Sequence, residues 1–287
     1  MKDISIVIGA ARSGTTLLKN FIGSHSDFAP TDLELNHLWR YGNSSLKHDF
    51  FKPELHLRSN IIEYIQESLR KEKLQSGKCR LIEKTVSNVA RVSFVANVLP
   101  NSKFIHIIRD GRAVSASAIK RWQFKPSSTY LLKRSTLVPV KDIPRVALNY
   151  SISNLKKFFR KRNYRQSWGP RWESIDEDVK NLSLARICSR QWKLCVESAM
   201  EQGSCLGSER YLEIRYEELL MHPKKIALQV AEFLNMDPSD IEFNRFYQKN
   251  LSTESLHKWK DDLSADELNE IEEESGSLLN KLGYVSL

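Results

Sequence analysis

Residues 4–19 read ISIVIGAARSGTTLLK, and this stretch decides the fold because an apolar run passes through a glycine-bracketed loop into a helix. Residues 4–8 form the β-branched run typical of a strand that is buried on both faces. Apolar side chains then recur at helical spacing from Leu17 to Ile22. The first N–H groups of a helix lack partners and carry the positive end of its dipole. The stretch therefore predicts an anion site where the helix begins.

The loop between this strand and helix, residues 9–16 (GAARSGTT), has the glycine spacing of a phosphate-binding P-loop. Thr15 stands where that motif requires lysine, which argues against kinase or ATPase chemistry because the lysine reaches the terminal phosphates. Arg12 supplies the positive charge instead. The hydroxyl donors of the loop are Ser13, Thr15 and Thr16. This set suits a phosphate-sulfate anhydride, whose transferable group carries less charge than a γ-phosphate and needs no metal clamp.

The run Arg12-Ser-Gly-Thr-Thr-Leu-Leu resembles the 5′-phosphosulfate loop of sulfotransferases that use 3′-phosphoadenosine 5′-phosphosulfate (PAPS). It is most similar to the arginine-bearing version in tyrosylprotein sulfotransferases and their bacterial relatives, since cytosolic sulfotransferases carry lysine at the position of Arg12. The resemblance implies transfer of a sulfuryl group from PAPS to an acceptor hydroxyl, without a metal. It assigns to the donor the loop residues Arg12, Ser13, Gly14, Thr15 and Thr16.

Strand and helix patterns alternate along the chain and predict an α/β fold, a P-loop-like parallel sheet with helices on both faces, the sulfotransferase fold. The whole chain, 1–287, is expected to form a single domain. After residues 4–8, strands are predicted at 79–83, 103–108 and 210–215. The main predicted helices are 54–75, 89–99, 111–121, 142–163, 182–200, 223–234 and 264–281. Residues 24–32 and 164–180 are predicted to be loops, and residues 123–141 a lid.

Charged side chains follow two of the predicted strands. Lys84 comes directly after 79–83, where its ammonium would neutralise charge on the sulfuryl and bridging oxygens. Arg109 directly follows the predicted strand 103–108. Ser117 and Arg121 lie four residues apart on one face of the next helix. Two guanidinium groups and a hydroxyl bind a phosphate with directional bonds. The resemblance assigns Lys84 to the donor and to catalysis, and the trio to its 3′-phosphate. Arg112 is the alternative to a member of this trio, but on the helix it is expected to point elsewhere and to make a surface pair.

A general base must reach the acceptor hydroxyl. Cytosolic sulfotransferases carry a histidine two residues after the strand-end lysine, and that position here is Val86, which excludes the histidine mechanism there. Tyrosylprotein sulfotransferases place a glutamate about 21 residues after the loop arginine, which falls on Leu33. Glu34, one residue on, is the predicted base, in a segment expected to lie over the mouth of the loop. The alternatives are Asp32 and His37.

The C-terminal part carries weaker signals. Tyr216 follows a predicted strand and matches a cofactor-contacting tyrosine of the family, with an ordinary core tyrosine as the alternative. Lys249 stands ten residues before Trp259, as a family lysine near the nucleotide does. Ser252 lies with Lys249 in a polar passage, residues 248–255. Trp122 either stacks on adenine or packs in the core.

The formal charge is +9, from 44 basic and 35 acidic residues, which favours anionic partners. The predicted partners are the nucleotide donor and a hydroxyl acceptor, an acidic one included, and not a nucleic acid. A basic run at 156–165 is either a solvated helix face or a docking surface for an acidic acceptor or an anionic membrane. The alternative functions are a P-loop kinase-like enzyme and a non-catalytic polyanion-binding protein.

Cysteine usage and hydropathy bear on the compartment. The cysteines at 79, 188, 195 and 205 form no C-x-x-C pair, so buried reduced thiols are predicted for Cys188 and Cys195. Three residues before the first strand leave no room for a leader, and no apolar run approaches the roughly 20 residues of a spanning helix. A cytoplasmic protein without a transmembrane segment is expected.

Overall fold

The computed structural model of the protein describes residues 3–123 and 168–284. It divides into two compact units, one made of 1–119 with 169–287 and one made of 120–168. The single domain of the sequence-based expectation stays a prediction. The predicted helix at 142–163, the basic run at 156–165 and the predicted lid beyond residue 123 lie outside the described residues.

The described residues form one sheet of five parallel strands. In chain order the strands are β1 (Ile4–Ile8), β2 (Phe28–Pro30), β3 (Arg80–Glu83), β4 (Lys103–Ile108) and β5 (Tyr211–Arg215). Their order across the sheet is β2-β3-β1-β4-β5, so β1 lies at the centre between β3 and β4. Ile4 pairs with Leu81 on one side, and Ser5 pairs with Lys103 on the other. This confirms the predicted α/β fold and brings the carboxyl ends of β1, β3 and β4 together, where such sheets bind ligands.

Thirteen α-helices are assigned in the described residues, with a 3₁₀ helix at Val86–Ala90. They are α1 (Thr15–Gly23), α2 (Asn36–Trp39), α3 (Pro53–His56), α4 (Ser59–Ser76), α5 (Val92–Val98), α6 (Gly111–Gln123), α7 (Ile175–Asn181), α8 (Leu184–Ser204), α9 (Tyr216–Met221), α10 (Pro223–Leu234), α11 (Ile241–Asn250), α12 (Trp259–Asp262) and α13 (Ala265–Lys281).

Helices cover both faces of the sheet, because alternate residues of a strand point to opposite sides. Ile6 of β1 faces a core cluster shared with α4, α5, α8 and α13. Val7 faces a second cluster shared with α1, α9, α10 and α11. Both residues are completely buried, as the β-branched run of β1 predicts for a central strand.

Several predicted boundaries are wrong. The predicted helix 54–75 is two helices, α3 and α4, because the backbone is extended at Leu57 and Arg58. The predicted loop 24–32 contains β2, a short edge strand that tolerates Pro30 at its end. The predicted loop 164–180 contains most of α7. The predicted helix 89–99 is shorter, since its first residues belong to the 3₁₀ helix.

Cys188 and Cys195 are buried in α8 and form no disulfide, as predicted, and Cys79 and Cys205 are exposed and form none either. Among the described residues, no helix combines the length and the apolar character needed to cross a bilayer. The cytoplasmic location stays a prediction.

Gly14 ends the loop before α1 and sets a strict steric limit. Its φ of 92° is left-handed, and a Cβ there would lie 2.5 Å from Cδ2 of Tyr216. Gly207 has a similar φ of 74°, but within the described part of the chain a Cβ there would have nothing within 4 Å beyond its chain neighbours. Gly207 is therefore a matched control for the backbone effect alone.

We expect Gly14→Ala to lower the free energy of unfolding by about 2–4 kcal/mol, from left-handed strain plus overpacking against the tyrosine ring. Gly207→Ala should cost only the backbone strain, about 1–2 kcal/mol. Urea denaturation of both variants measures the difference. Equal losses would show that the tyrosine does not limit the space at Gly14.

Candidate active site

The loop after β1 folds back over the start of α1. Arg12 has a left-handed φ of 74°, and Gly14 follows with the same sign of φ. The N–H of Ser13 donates to the carbonyl of Ala10 at 3.1 Å, which closes the turn. No side chain of the described residues caps α1 at Gly14. The first N–H groups of α1 therefore have no side-chain cap at Gly14, and the anion site there stays a prediction.

Side chains of the loop add donors to this backbone site. Arg12 and Thr16 are exposed, whereas Ser13 and Thr15 are buried. The hydroxyl of Ser13 is buried and makes no hydrogen bond to any residue that the structure describes. Because a buried hydroxyl without a partner costs free energy, an oxyanion bound in the loop would suit this position.

The two predicted anion-binding groups meet across the carboxyl edge. The Nε of Arg12 donates to the Oγ of Ser117 on α6 at 2.9 Å. The Nη1 of Arg109, directly after β4, donates to the backbone carbonyl of Arg12 at 3.3 Å. Arg12, Ser117 and Arg109 thus form one continuous group rather than two separate sites.

Arg109 is fixed from several directions. Its guanidinium lies 4.3 Å from the ring centroid of Tyr216, and its Nη2 donates to the carbonyl of Ser255 at 3.1 Å. The hydroxyl of Tyr216 is 3.1 Å from the Oγ of Ser255. The indole of Trp192 donates to the backbone carbonyl of Arg109 at 3.1 Å. Tyr216 is therefore a core residue that also packs against Arg109, and its contact with the cofactor stays a prediction.

Ser255 was not a predicted site residue, and its only signal in the sequence is its place in the polar passage before α12. Lys249 lies in the last turn of α11 and is exposed, as is Ser252, and their roles stay predictions. Arg121 and Trp122 lie at the end of α6, in the second compact unit, and their roles also stay predictions.

The prediction that Arg112 makes a pair at the surface is wrong, because its ion pair with Asp110 is buried. Arg112 is buried and bonds the carboxylate of Asp110 through its Nη2 at 2.9 Å. Its guanidinium lies 4.5 Å from the ring centroid of Trp259 in α12. The C-terminal helices therefore cover this face of α6, which the local sequence around Arg112 does not reveal.

The predicted base and the predicted catalytic lysine touch. Lys84 follows β3 directly and is 8% exposed, and its Nζ donates to the Oε1 of Glu34 at 2.6 Å. The side chain of Glu34 is 44% exposed, so its carboxylate is open to a substrate. The alternatives Asp32 and His37 are exposed nearby in the chain. Thr31 and Glu34 thus contact residues at the carboxyl end of β3, and the position of their segment over the mouth of the loop stays a prediction.

Lys19 is a further cation of this site that the sequence reasoning missed. It lies one turn after Thr15 on α1, and its Nζ donates to the carbonyl of Thr31 at 2.6 Å. Burial, and then the charge of Lys84, lowers the pKa of Lys19. Its spacing from Thr15 was the available signal, because residues four apart share a helix face.

Glu83, at the end of β3, is a completely buried carboxylate beneath the site. Burial raises its pKa from 4.5 to about 6, against the opposing effect of the hydroxyl of Thr85, which donates to Oε1. Asn88 donates to Oε2 at 3.2 Å. Burial also lowers the pKa of nearby Arg91 to about 10, so Arg91 stays protonated at neutral pH.

Part of the chain is similar to a known protein family. Residues 5–139 match the model of the sulfotransferase family. These residues make up a little under half of the chain, which resembles the sulfotransferase family there. The chain is 23% identical to a protein-tyrosine sulfotransferase of Drosophila melanogaster over 243 residues. That alignment covers 81% of this chain but only 38% of the fly protein.

Solved structures of sulfotransferases share the fold. The sulfotransferase domain from the curacin biosynthetic pathway has a TM-score of 0.54 and 16% identity, covering 96% of each chain. A mouse sulfotransferase complexed with PAP has a TM-score of 0.52 and 14% identity, covering all of this chain and 90% of its own. The predicted sulfotransferase fold is thus confirmed for the residues that the structure describes.

The raised pKa of Glu83 makes stability depend on pH. Its pKa is about 6 in the folded protein against 4.5 in the unfolded chain, so the folded state binds more protons between these values. This contribution is fully present below pH 4.5 and is lost as pH rises through 6. It amounts to about 2 kcal/mol.

We therefore expect Glu83→Gln to remove about 2 kcal/mol of the fall in unfolding free energy between pH 4.5 and 7.5. Urea denaturation across this pH range measures the fall in the wild type and the variant. Glu63→Gln, on the exposed face of α4, is the control and should leave the pH dependence as in the wild type. An unchanged pH dependence in Glu83→Gln would contradict the raised pKa.

Proposed function

We propose that this protein transfers a sulfuryl group from PAPS to an acceptor hydroxyl by in-line displacement. The observation that carries the proposal is the 3.3 Å bond from Arg109 Nη1 to the carbonyl of Arg12, which joins the two anion-binding groups. An adenylate with phosphates on both its 3′ and 5′ oxygens has the charge pattern that such a joined site would recognise.

The residues present fit this donor. Its 5′ end would lie against the first N–H groups of α1, the hydroxyl of Ser13 and the guanidinium of Arg12. Its 3′-phosphate would be held by Arg109 and Ser117. When bound, PAPS supplies an activated sulfuryl group on a phosphate leaving group.

Two cations would stabilise the charge that develops on the leaving phosphate. Arg12 stays protonated at any ordinary pH, so it acts electrostatically and does not give up a proton. Lys84 can act electrostatically or donate a proton. Because Lys84 is largely buried, its charge interacts more strongly than it would in water.

Glu34 would accept the proton of the attacking hydroxyl. Its Oε1 is held by Lys84, and its side chain is about half exposed, so an acceptor can reach the carboxylate. This arrangement favours Glu34 over Asp32 and His37 as the base. With Glu34 as the base, the base and Lys84 would lie side by side, close to both the acceptor and the sulfuryl group.

The acceptor is proposed to be a hydroxyl, and the name of the fly relative makes a tyrosyl peptide the first to test. The chain spans well under two thirds of that relative's length, so an acidic tyrosyl peptide belongs in a panel with carbohydrate, lipid and small alcohol acceptors. We also propose that the transfer needs no metal, because Thr15 replaces the P-loop lysine that works with magnesium.

The decisive experiment incubates the protein with ³⁵S-labelled PAPS and this acceptor panel, with and without EDTA. We expect at least one acceptor to be labelled, and labelling to survive EDTA. Arg12→Ala and Lys84→Ala should each lower turnover about a hundredfold or more, the scale of losing one preorganised charge contact. Arg70→Ala, on the exposed side of α4, is the control for loss of an arginine and should retain turnover.

Wild-type turnover in both the Arg12 and Lys84 variants would refute the assigned roles. Transfer of phosphate from ATP that requires magnesium would instead support the kinase-like alternative. Binding of nucleotides without preference for a 3′-phosphate, with steep loss of affinity in salt, would support the polyanion-binding alternative.

Arg109 should determine the preference for a 3′-phosphate. PAP is PAPS without its sulfuryl group and keeps the 3′-phosphate, which 5′-AMP lacks. We expect Arg109→Ala to weaken binding of PAP by about 10–100-fold, the value of a charge-assisted hydrogen bond, and to change binding of 5′-AMP little. Isothermal titration calorimetry with the two nucleotides measures both affinities. An equal loss for both nucleotides would mean that Arg109 does not contact the 3′-phosphate.

A further inference from the structure

A closed ring of hydrogen bonds joins the segment after β2 to the turn after β3. The N–H of Leu35 donates to the Oγ1 of Thr85 at 2.9 Å. The same hydroxyl donates its proton to the Oε1 of Glu83. Asn88 donates to the other oxygen of Glu83 at 3.2 Å. Thr85 thus uses both its donor and an acceptor site, a combination that only a hydroxyl side chain provides in this space.

The ring closes through Arg91. Its Nε donates to the Oδ1 of Asn88 at 2.9 Å, and its Nη2 donates to the Oδ1 of Asn36 at 2.6 Å. Asn36 is the chain neighbour of Leu35, so the ring returns to its starting point. Arg91 also lies 3.6 Å from the carboxylate of Asp49, which helps to offset its buried charge.

Glu34 and Lys84 are the chain neighbours of this ring. Glu34 precedes Leu35, and Lys84 stands between Glu83 and Thr85. Their side chains form the 2.6 Å contact just outside the ring. If the hydrogen bond from Leu35 to Thr85 lengthens or is lost, the distance between Glu34 and Lys84 therefore changes with it.

We propose that Thr85 is a positioning residue that holds Glu34 at the working distance from Lys84 and the acceptor. The catalytic role of Thr85 rests on the proposed function, whereas the ring of hydrogen bonds is a property of the free protein. Thr85 is completely buried and so does not itself touch a substrate. It acts through the backbone of Leu35.

The test compares Thr85→Val with Thr85→Ser, since valine keeps the shape of threonine and serine keeps the hydroxyl. Thr31→Val is the matched control, because Thr31 is equally buried and lies in the same segment. The Oγ1 of Thr31 bonds to nothing in the ranges 3–123 and 168–284. Asn36→Ala, which opens the ring at its other end, is a second variant should Thr85→Val not fold.

We expect Thr85→Val to lower kcat for sulfuryl transfer by about 10–100-fold, the effect of a displacement near 1 Å at the reacting groups. The affinity for PAP should stay within about twofold of the wild type, since Arg109 and Ser117 are untouched. Asn36→Ala should lower kcat in the same direction. Thr85→Ser and Thr31→Val should retain wild-type kcat.

Hydrogen exchange at the Leu35 amide gives a readout that needs no activity. The exchange rate should rise about tenfold or more in Thr85→Val and stay near the wild-type value in Thr85→Ser and Thr31→Val. If the wild type transfers no sulfuryl group, the proposed function fails. The exchange rates still show whether Thr85 holds the backbone of Leu35.

Four results would overturn the inference. The first is a wild-type kcat in both Thr85→Val and Asn36→Ala, and the second is an unchanged exchange rate of the Leu35 amide in Thr85→Val. The third is a kcat in Thr85→Ser as low as in Thr85→Val. The fourth is a loss of PAP affinity in Thr85→Val as large as its loss of kcat. The last result would mean that Thr85 supports the whole fold rather than the placement of Glu34.

Discussion

The parallel pairing of β1 with both β3 and β4 is the constraint on which the rest of the site depends. Because all three strands run the same way, their carboxyl ends meet at one edge of the sheet. The loop before α1, Lys84 and Arg109 each follow one of these strands directly. A central strand with neighbours on both sides therefore brings together three groups that are far apart in the chain, without any long side chain having to cross the sheet.

Positive charge accumulates at this edge, and the fold offsets it in different ways on the two sides. On the β4 side, the guanidinium of Arg109 lies over an aromatic ring and bonds to backbone carbonyls, so no carboxylate neutralises it in these contacts. On the β3 side, Lys84 meets a carboxylate, Glu34. The first arrangement suits a group that must hold an anion, and the second suits groups that exchange a proton with a neutral hydroxyl.

Local patterns made the loop, four of the five strands and the positions of Lys84 and Arg109 predictable, because each signal lies within a few consecutive residues. The strand β2 was missed, since a three-residue edge strand ending in proline looks like a turn. The burial of Arg112 and the contacts of Ser255 depend on packing between distant parts of the chain. The choice of Glu34 came from family spacing, and its contact with Lys84 became visible only when residues 50 positions apart were brought together.

Arg12 combines a cationic side chain with a left-handed backbone, a conformation that costs a residue other than glycine about 1–2 kcal/mol. Glycine would fit this backbone better but would bring no charge. The loop thus carries a cationic side chain at a cost in conformational stability. Sequences selected only for heat resistance should drift towards glycine here, and would lose the charged group while keeping the architecture.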